Sequence, residues 1–426
     1  MEELATTAAE AQRYFDEGNI AVAEMIARAV VTAPTAAAQP AAARPASADD
    51  IARARDILAR CAAHFGSARL AAPPDGRTRF LLIKAWGNGF WSDVDHVVGG
   101  LLLAQITRRI PVVHWGENSR FRDGPGDAFR LYFEPLNDRT LDSLRGKGLS
   151  FWPPKWSDDN LDRDEINKLG GDWSRLPGVA YFARDEDVAV LDYHTGVPVL
   201  LPHVPAWHPL HAAPLDHAFR TLLAQLRPRP EILAQAEAFA RANFGSGGGP
   251  IIAVHARGSD KHVEDPQLDA KLAALPRIID AMAQYRPGAR VFLLTDSSPV
   301  AADFAARYGP RLITTPALRT DAKRGLHYQD LPRRRLATEV LIDALLAARC
   351  NAFVGLGSSN VACAIVHLKK WLPQDLAIIG PLLTHLPNPF LYMNHDQLGR
   401  YIPADQLARL RAYAHTGRLD DLESKI

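Results

Sequence analysis

The chain is poor in several features that would each point to a class of protein. Three cysteines in 426 residues, Cys61, Cys350 and Cys363, are too few and too scattered for a disulfide framework or a zinc site. They are expected as small core residues. Charge of either sign is not in excess: 49 Lys and Arg stand against 48 Asp and Glu, so no basic field exists to draw the chain to nucleic acid or anionic membrane. No apolar run reaches the roughly 18 residues that span a bilayer. The opening MEELATTAAEAQ is acidic where a signal peptide is basic, so the expected compartment is the cytoplasm.

What is present is an ordinary globular composition, 47% hydrophobic and 23% charged, over a length suited to two or three domains. Residues 34–50, PTAAAQPAAARPASADD, have almost nothing to bury and read as a semi-rigid linker. Residues 1–33 read as a helical hairpin broken at Gly18-Asn19. The spacing of Tyr14, Gly18, Ala23, Ala27 and Pro34 resembles one tetratricopeptide unit; a plain hairpin is the other reading. A single unit cannot bury its own face. It is expected to dock on the main body, on a second copy in a homodimer, or on a protein partner.

After the linker, apolar runs alternate with helical patterns. RFLLIKAW (79–86) and IPVVHW read as strands on either side of a helix. The same grammar returns after GSGGGP (245–250), with strands at 251–256 and 290–296, then RLITT and AFVGLG, each separated by a helix. The expected fold is therefore α/β: two Rossmann-like domains facing across a cleft, preceded by the hairpin. Boundaries fall at 51–245 and 246–400, with a C-terminal helical tail at 401–426. Ligands in such sheets sit at the carboxyl ends of strands.

Three strand ends carry chemistry. In AWGNGFWSDVDH, Gly87 and Gly89 flank Asn88 and let backbone approach a ligand, with a helix start behind them. Asp93 and Asp95 of the same stretch fit either a metal-binding Asp-x-Asp pair, or Asp93 or Ser92 as the N-cap of that helix with Asp95 in its first turn. In VHARGSDKHVE, Arg257 is a bidentate phosphate ligand, Lys261 a second cation, and His255 lies on the same side of the strand as Arg257. Glu264 or Asp260 there fits a general base. In FVGLGSSNV, Ser358, Ser359 and Asn360 precede a helix and make either an anion cradle or ordinary caps. Asp296, in LLTDSSP, ends a further strand, and Ser297 or Ser298 caps the helix after it.

In this order the pieces resemble the GDP-fucose-dependent fucosyltransferases of GT-B-like fold. The likeness is nearest to the α1,6-fucosyltransferases of the core N-glycan and rhizobial Nod-factor types, with echoes of the protein O-fucosyltransferases. It runs from about Phe80 to Pro381 and rests on GNG with His96, FRLYFEPL, PIIAVHARGSDK, FLLTDSSP, GLHY, EVLIDALLAARCNAFVG and GSSNV. The resemblance implies an inverting transferase that needs no metal and no cofactor beyond its GDP-sugar donor. It implies Gly87, Asn88 and Gly89 against the pyrophosphate, and Arg257 on the β-phosphate. His255 and Asp343 would read guanine, with Ser358, Ser359 and Asn360 completing the cradle. Where the α1,6 group has a second arginine this chain has Gly258, and Glu264 matches the catalytic glutamate only with one loop residue missing. The N-terminal domain is expected to hold the acceptor, a glycan or other hydroxyl, near His114, Trp115 and Asn118. Two rival readings remain: a transferase for a different nucleotide-sugar, and a non-catalytic scaffold that binds a protein partner. A bacterial source is expected, because the additions of the eukaryotic enzyme are absent.

Overall fold

The computed structural model describes residues 7–17, 20–32, 46–67, 76–164, 173, 176, 178–182, 184–245, 249–259 and 265–385. Of the expected linker at 34–50, residues 34–45 lie outside the described residues, as do the break at Gly18-Asn19 and the tail at 401–426, whereas Ala48–Asp50 are not linker but the first turn of a helix. In chain order, helices α1 (Ala8–Asp16), α2 (Ile20–Thr32) and α3 (Ala48–Ser67) come first. Then follow β1 (Phe80–Lys84), α4 (Phe90–Ile106), β2 (Ile110–His114), β3 (Phe151–Trp152), β4 (Val188–Leu191), α5 (Val197–Leu200) and α6 (Leu215–Leu223). The last block opens with α7 (Pro230–Asn243), β5 (Ile251–His255), α8 (Leu268–Gln284), β6 (Arg290–Leu294) and α9 (Ser298–Tyr308). It closes with β7 (Leu312–Ile313), α10 (Arg333–Arg349), β8 (Ala352–Leu356), α11 (Asn360–Leu368) and β9 (Leu376–Ile379). Among the described residues, no helix is long and apolar enough to cross a membrane.

The elements gather into two compact units. One holds the sheet β2-β1-β4-β3, with every pair parallel. The other holds β7-β6-β5-β8-β9, also wholly parallel. Continuous apolar runs such as LLI in β1, VAVL in β4 and IIAV in β5 are buried along their length, as strands covered on both faces must be.

The unit boundaries differ from those read in the sequence. Among the described residues the smaller-sheet unit holds 76–131, most of 135–223, and 384–385, whereas α3 and α7 belong with the larger sheet. The reason lies in α2. Its sequence IAVAEMIARAVV is apolar nearly all round, so it must be covered on every side. Helices α1 and α3 cover part of it, and α7 and α10 the rest. Ala23 and Ala27 of the tetratricopeptide-like pattern are fully buried there, as is Tyr14.

The hairpin therefore docks on the body of its own chain. Buried polar contacts fix it in place. The Tyr14 hydroxyl donates to the Arg349 carbonyl at 3.0 Å. Arg349, on α10, lies between Glu237 of α7 at 2.5 Å and Glu10 of α1 at 3.3 Å, all three buried. Glu24, buried in α2, accepts from both Arg227 and Arg28. The three cysteines are free and buried, as expected, and burial pushes the Cys61 and Cys350 thiols up to about 12.

Candidate active site

In the larger sheet the chain runs from β5 to β6 and β7 on one side, then returns to place β8 on the other side of β5. The carboxyl ends of β5 and β8 thus form a topological switch point, where doubly wound sheets bind ligands. His255 ends β5, opposite Gly355 of β8. Arg257 follows, with Nε 3.7 Å from a carboxylate oxygen of Asp296 just past β6. The same carboxylate accepts from the Gly258 N–H at 3.0 Å and from the Ser259 hydroxyl at 2.5 Å. Asp296 thereby organises the whole turn 257–259. Sequence reading placed Asp296 at a strand end and missed this role, although a lone acid after an apolar strand was the available signal. Ser297 is the N-cap of α9, as expected.

Gly258 stands where the resembling family has an arginine. A Cβ there would lie 2.9 Å from Cβ of Ser297, closer than atoms approach without displacement. The turn is thus packed around a residue without a Cβ.

At the exit of β8, the Ser358 hydroxyl donates to Asp265 at 3.1 Å. Lys271, 2.6 Å from the same carboxylate, holds the Asp265 carboxyl below its usual range. This anchor of the Gly357-Ser358-Ser359 turn was not foreseen. Ser359 occupies the N-cap position of α11 without making a side-chain cap. The residue is 1% exposed, and its buried hydroxyl has no hydrogen-bond partner among the described residues, an expensive condition for a buried polar atom. Asn360 opens α11 beside it. A helix start with an uncommitted buried hydroxyl has the donors that an anion would need. Asp260, Lys261 and Glu264 lie outside the described residues.

Asp343 is buried in α10, where it accepts from the Thr315 hydroxyl at 2.7 Å. Burial raises its carboxyl to about 7, partly offset by the Thr315 bond. Thr315 follows β7, so Asp343 is associated with β7 and His255 with β5, with β6 between those strands.

The smaller sheet has its own switch point, between β1 and β4. Gly87 there takes φ +85°, which suits glycine. The N–H groups of Gly87 and Asn88 donate to Asp93 at 2.8 and 3.2 Å. Gly89, not Ser92 or Asp93, is the N-cap of α4, because the helix starts earlier than the pattern implied. Asp93 reaches back from the first turn and clamps the loop. Asp95 instead pairs with His194, which follows β4, at 2.9 Å. The two aspartates thus serve different partners, and Asp95–His194 is a pair the sequence did not disclose. The His194 loop is rigidly held: the Thr195 N–H donates to buried His96 at 3.2 Å, and Gly99 leaves room for the Thr195 carbonyl where a Cβ would come within 1.8 Å.

The three residues expected on the acceptor side divide. Trp115 is fully buried, edge-on to Phe90 and Phe129, so it is a core residue with no ring face for a sugar. Asn118 is a brace: its amide donates to the Ala85 carbonyl at 2.8 Å and its N–H to Asp164 at 2.9 Å. His114 borders an open cavity, and burial pushes its imidazole down to about 4.

No family model matches the chain, and no curated protein matches it. Among solved structures it is similar to the fucosyltransferase NodZ from Bradyrhizobium, at 21% identity, TM-score 0.44, covering 68% of this chain and 93% of that one. It is also similar to an Arabidopsis thaliana FUT1 mutant in complex with GDP, at 15% identity, TM-score 0.42 and 76% of each chain. POFUT1 in complex with GDP is similar at 14% identity, TM-score 0.41, with 73% of this chain and 100% of that one covered. Likeness of this degree carries no argument about activity.

Proposed function

We propose that this chain is an inverting, metal-independent glycosyltransferase of a bacterial cytoplasm that moves L-fucose from GDP-fucose to a hydroxyl of a glycan or similar acceptor. The observation that carries the reading is the β5–β8 switch point, where Arg257, braced by Asp296, and the unpartnered Ser359 hydroxyl at the start of α11 share one sheet edge. A departing nucleoside diphosphate accumulates negative charge, and a fixed guanidinium with helix-start N–H groups stabilises it in place of a divalent ion.

The acceptor oxygen attacks the anomeric carbon on the face opposite the nucleotide. The bond from that carbon to the diphosphate oxygen breaks, and its electron pair leaves on GDP. The acceptor proton passes to a carboxylate, Glu264 first and Asp260 second, with Lys261 adding positive charge. Asp343, once ionised, accepts from both N1–H and the 2-amino group of guanine, whereas adenine would strand the buried charge.

The glycine at position 258, where the resemblance calls for a second arginine, favours a second reading, a related transferase with a different nucleotide-sugar. Thermal melting against GDP, GDP-fucose, GDP-mannose and UDP-sugars separates the two. Stabilisation by GDP-fucose, followed by turnover that survives a chelator, is expected. A shift with UDP alone, or turnover restored only by magnesium, would overturn the proposal.

A further inference from the structure

Beside the turn that leaves β8 stands a carboxylate, an odd neighbour for donors suited to an anion. Asp265 Oδ2 accepts from the Ser358 hydroxyl at 3.1 Å and from Lys271 Nζ at 2.6 Å, and its Oδ1 accepts from the Gln267 N–H at 3.2 Å. All four residues belong to the larger-sheet unit, with Lys271 supplied by the start of α8. The Lys271 bond keeps the Asp265 carboxyl below its usual range, so it is charged at neutral pH. The turn itself is anchored from the opposite side. The Gly357 N–H donates to the Ile379 carbonyl at 3.0 Å, and the Gly357 carbonyl accepts from the Leu383 N–H at 2.9 Å. A Cβ at Gly357 would lie 2.3 Å from the Pro381 carbonyl oxygen. Ser358 is therefore kept beside Asp265.

Two consequences follow from proton count and charge. A hydroxyl has one proton to donate, so Ser358 serves the carboxylate or a phosphate and never both at once. A carboxylate one hydrogen bond away from the turn also repels a diphosphate, and part burial leaves that repulsion weakly screened. Lys271 counters both effects: it neutralises Asp265, and it stays on Oδ2 when the hydroxyl turns away.

We propose that the Asp265–Lys271 pair sets how tightly the turn Gly357–Asn360 holds a diphosphate, Asp265 opposing the ligand and Lys271 cancelling that opposition. This role rests on the reading of the turn as a GDP cradle. The full chain and its variants are titrated calorimetrically with GDP, and melting curves confirm folding. Asp265→Asn keeps an acceptor for Ser358 but removes the charge, and is expected to bind GDP about tenfold more tightly than the wild type. Lys271→Met is expected to bind about tenfold more weakly. The double variant returns close to the wild type, because the charge that Lys271 cancels is gone. A pair that only braced the turn gives the reverse pattern, with weaker binding in Asp265→Asn and no recovery in the double variant. Asp265→Asn that binds no more tightly than the wild type, or a double variant no better than Lys271→Met, would overturn the proposal. Should Lys271→Met fail to fold, the sign of the Asp265→Asn change decides alone. A wild-type chain that does not bind GDP sinks the transferase reading and the pair's role with it, whereas wild-type binding with the wrong signs in the variants sinks the pair's role only.

Discussion

The Asp95 carboxylate lies 2.9 Å from Nε2 of His194, joining α4 to the loop that leaves β4. A carboxylate at that distance fixes the orientation of the ring. The loop cannot drift, because His96 and the bare Cα of Gly99 hold Thr195. If this pair serves the proposed reaction, Asp95→Asn lowers turnover of GDP-fucose by about 10- to 100-fold. The melting shift produced by GDP stays as in the wild type. Unaltered turnover would reduce the pair to a packing device.

Asp343 couples stability to pH. Its folded pKa, about 7, stands above the value of 3.8 expected for a free aspartate, so the native chain holds a proton the unfolded chain has lost between those limits. The resulting stabilisation is complete below about pH 4 and drains away as pH rises through about 7. Asp343→Asn removes this slope and is expected to raise Tm at pH 8 by about 2 °C or more. It also weakens GDP binding. Melting curves from pH 5 to 8 with and without GDP test both halves; a lower Tm at pH 8 in the variant would contradict the first.

Arg257 is expected to be irreplaceable by a point charge. Arg257→Ala abolishes most of the GDP-induced shift, and Arg257→Lys restores only part of it, because lysine lacks the planar fork that grips two phosphate oxygens. Asp296→Asn leaves the guanidinium in place but loosens the turn that carries it. Its GDP affinity is expected between those of the wild type and Arg257→Ala, measured by calorimetric titration.

The attachment of the N-terminal hairpin has a clear weak point. Glu237→Ala leaves the Arg349 charge buried with only Glu10 at 3.3 Å, at a cost of about 3–5 kcal/mol. Replacing all three members of the Glu10–Arg349–Glu237 set by apolar residues of similar volume costs far less, since the desolvation penalty goes with the charges. Urea unfolding of both variants decides; equal losses would mean that shape rather than charge governs the contact.

Gly258→Ala tests the tightness of the site turn. The added methyl meets Ser297 at 2.9 Å and is expected to destabilise by about 1–3 kcal/mol. A paired Ser297→Gly change should recover most of that loss, as read by Tm.

Local patterns along the chain leave out β3, β4 and β9 but announce the other six described strands, the helices between them and the turns that end β1, β5 and β8. These follow from apolar runs, glycines and caps within a few residues of one another, and such signals survive without the rest of the molecule. Pairings over long separations, by contrast, emerge only when the chain folds. His194 meets Asp95 across 99 positions of chain, and Tyr14 meets the Arg349 carbonyl across 335. Asp296 gathers the turn 257–259 from a neighbouring strand, and Trp115, one residue past β2, turns inward among aromatic rings. No local pattern distinguishes an acid that caps a helix from one that holds an arginine, because the difference is which element packs beside it. That is settled by how two apolar faces close, and the closing of faces is a property of the folded chain.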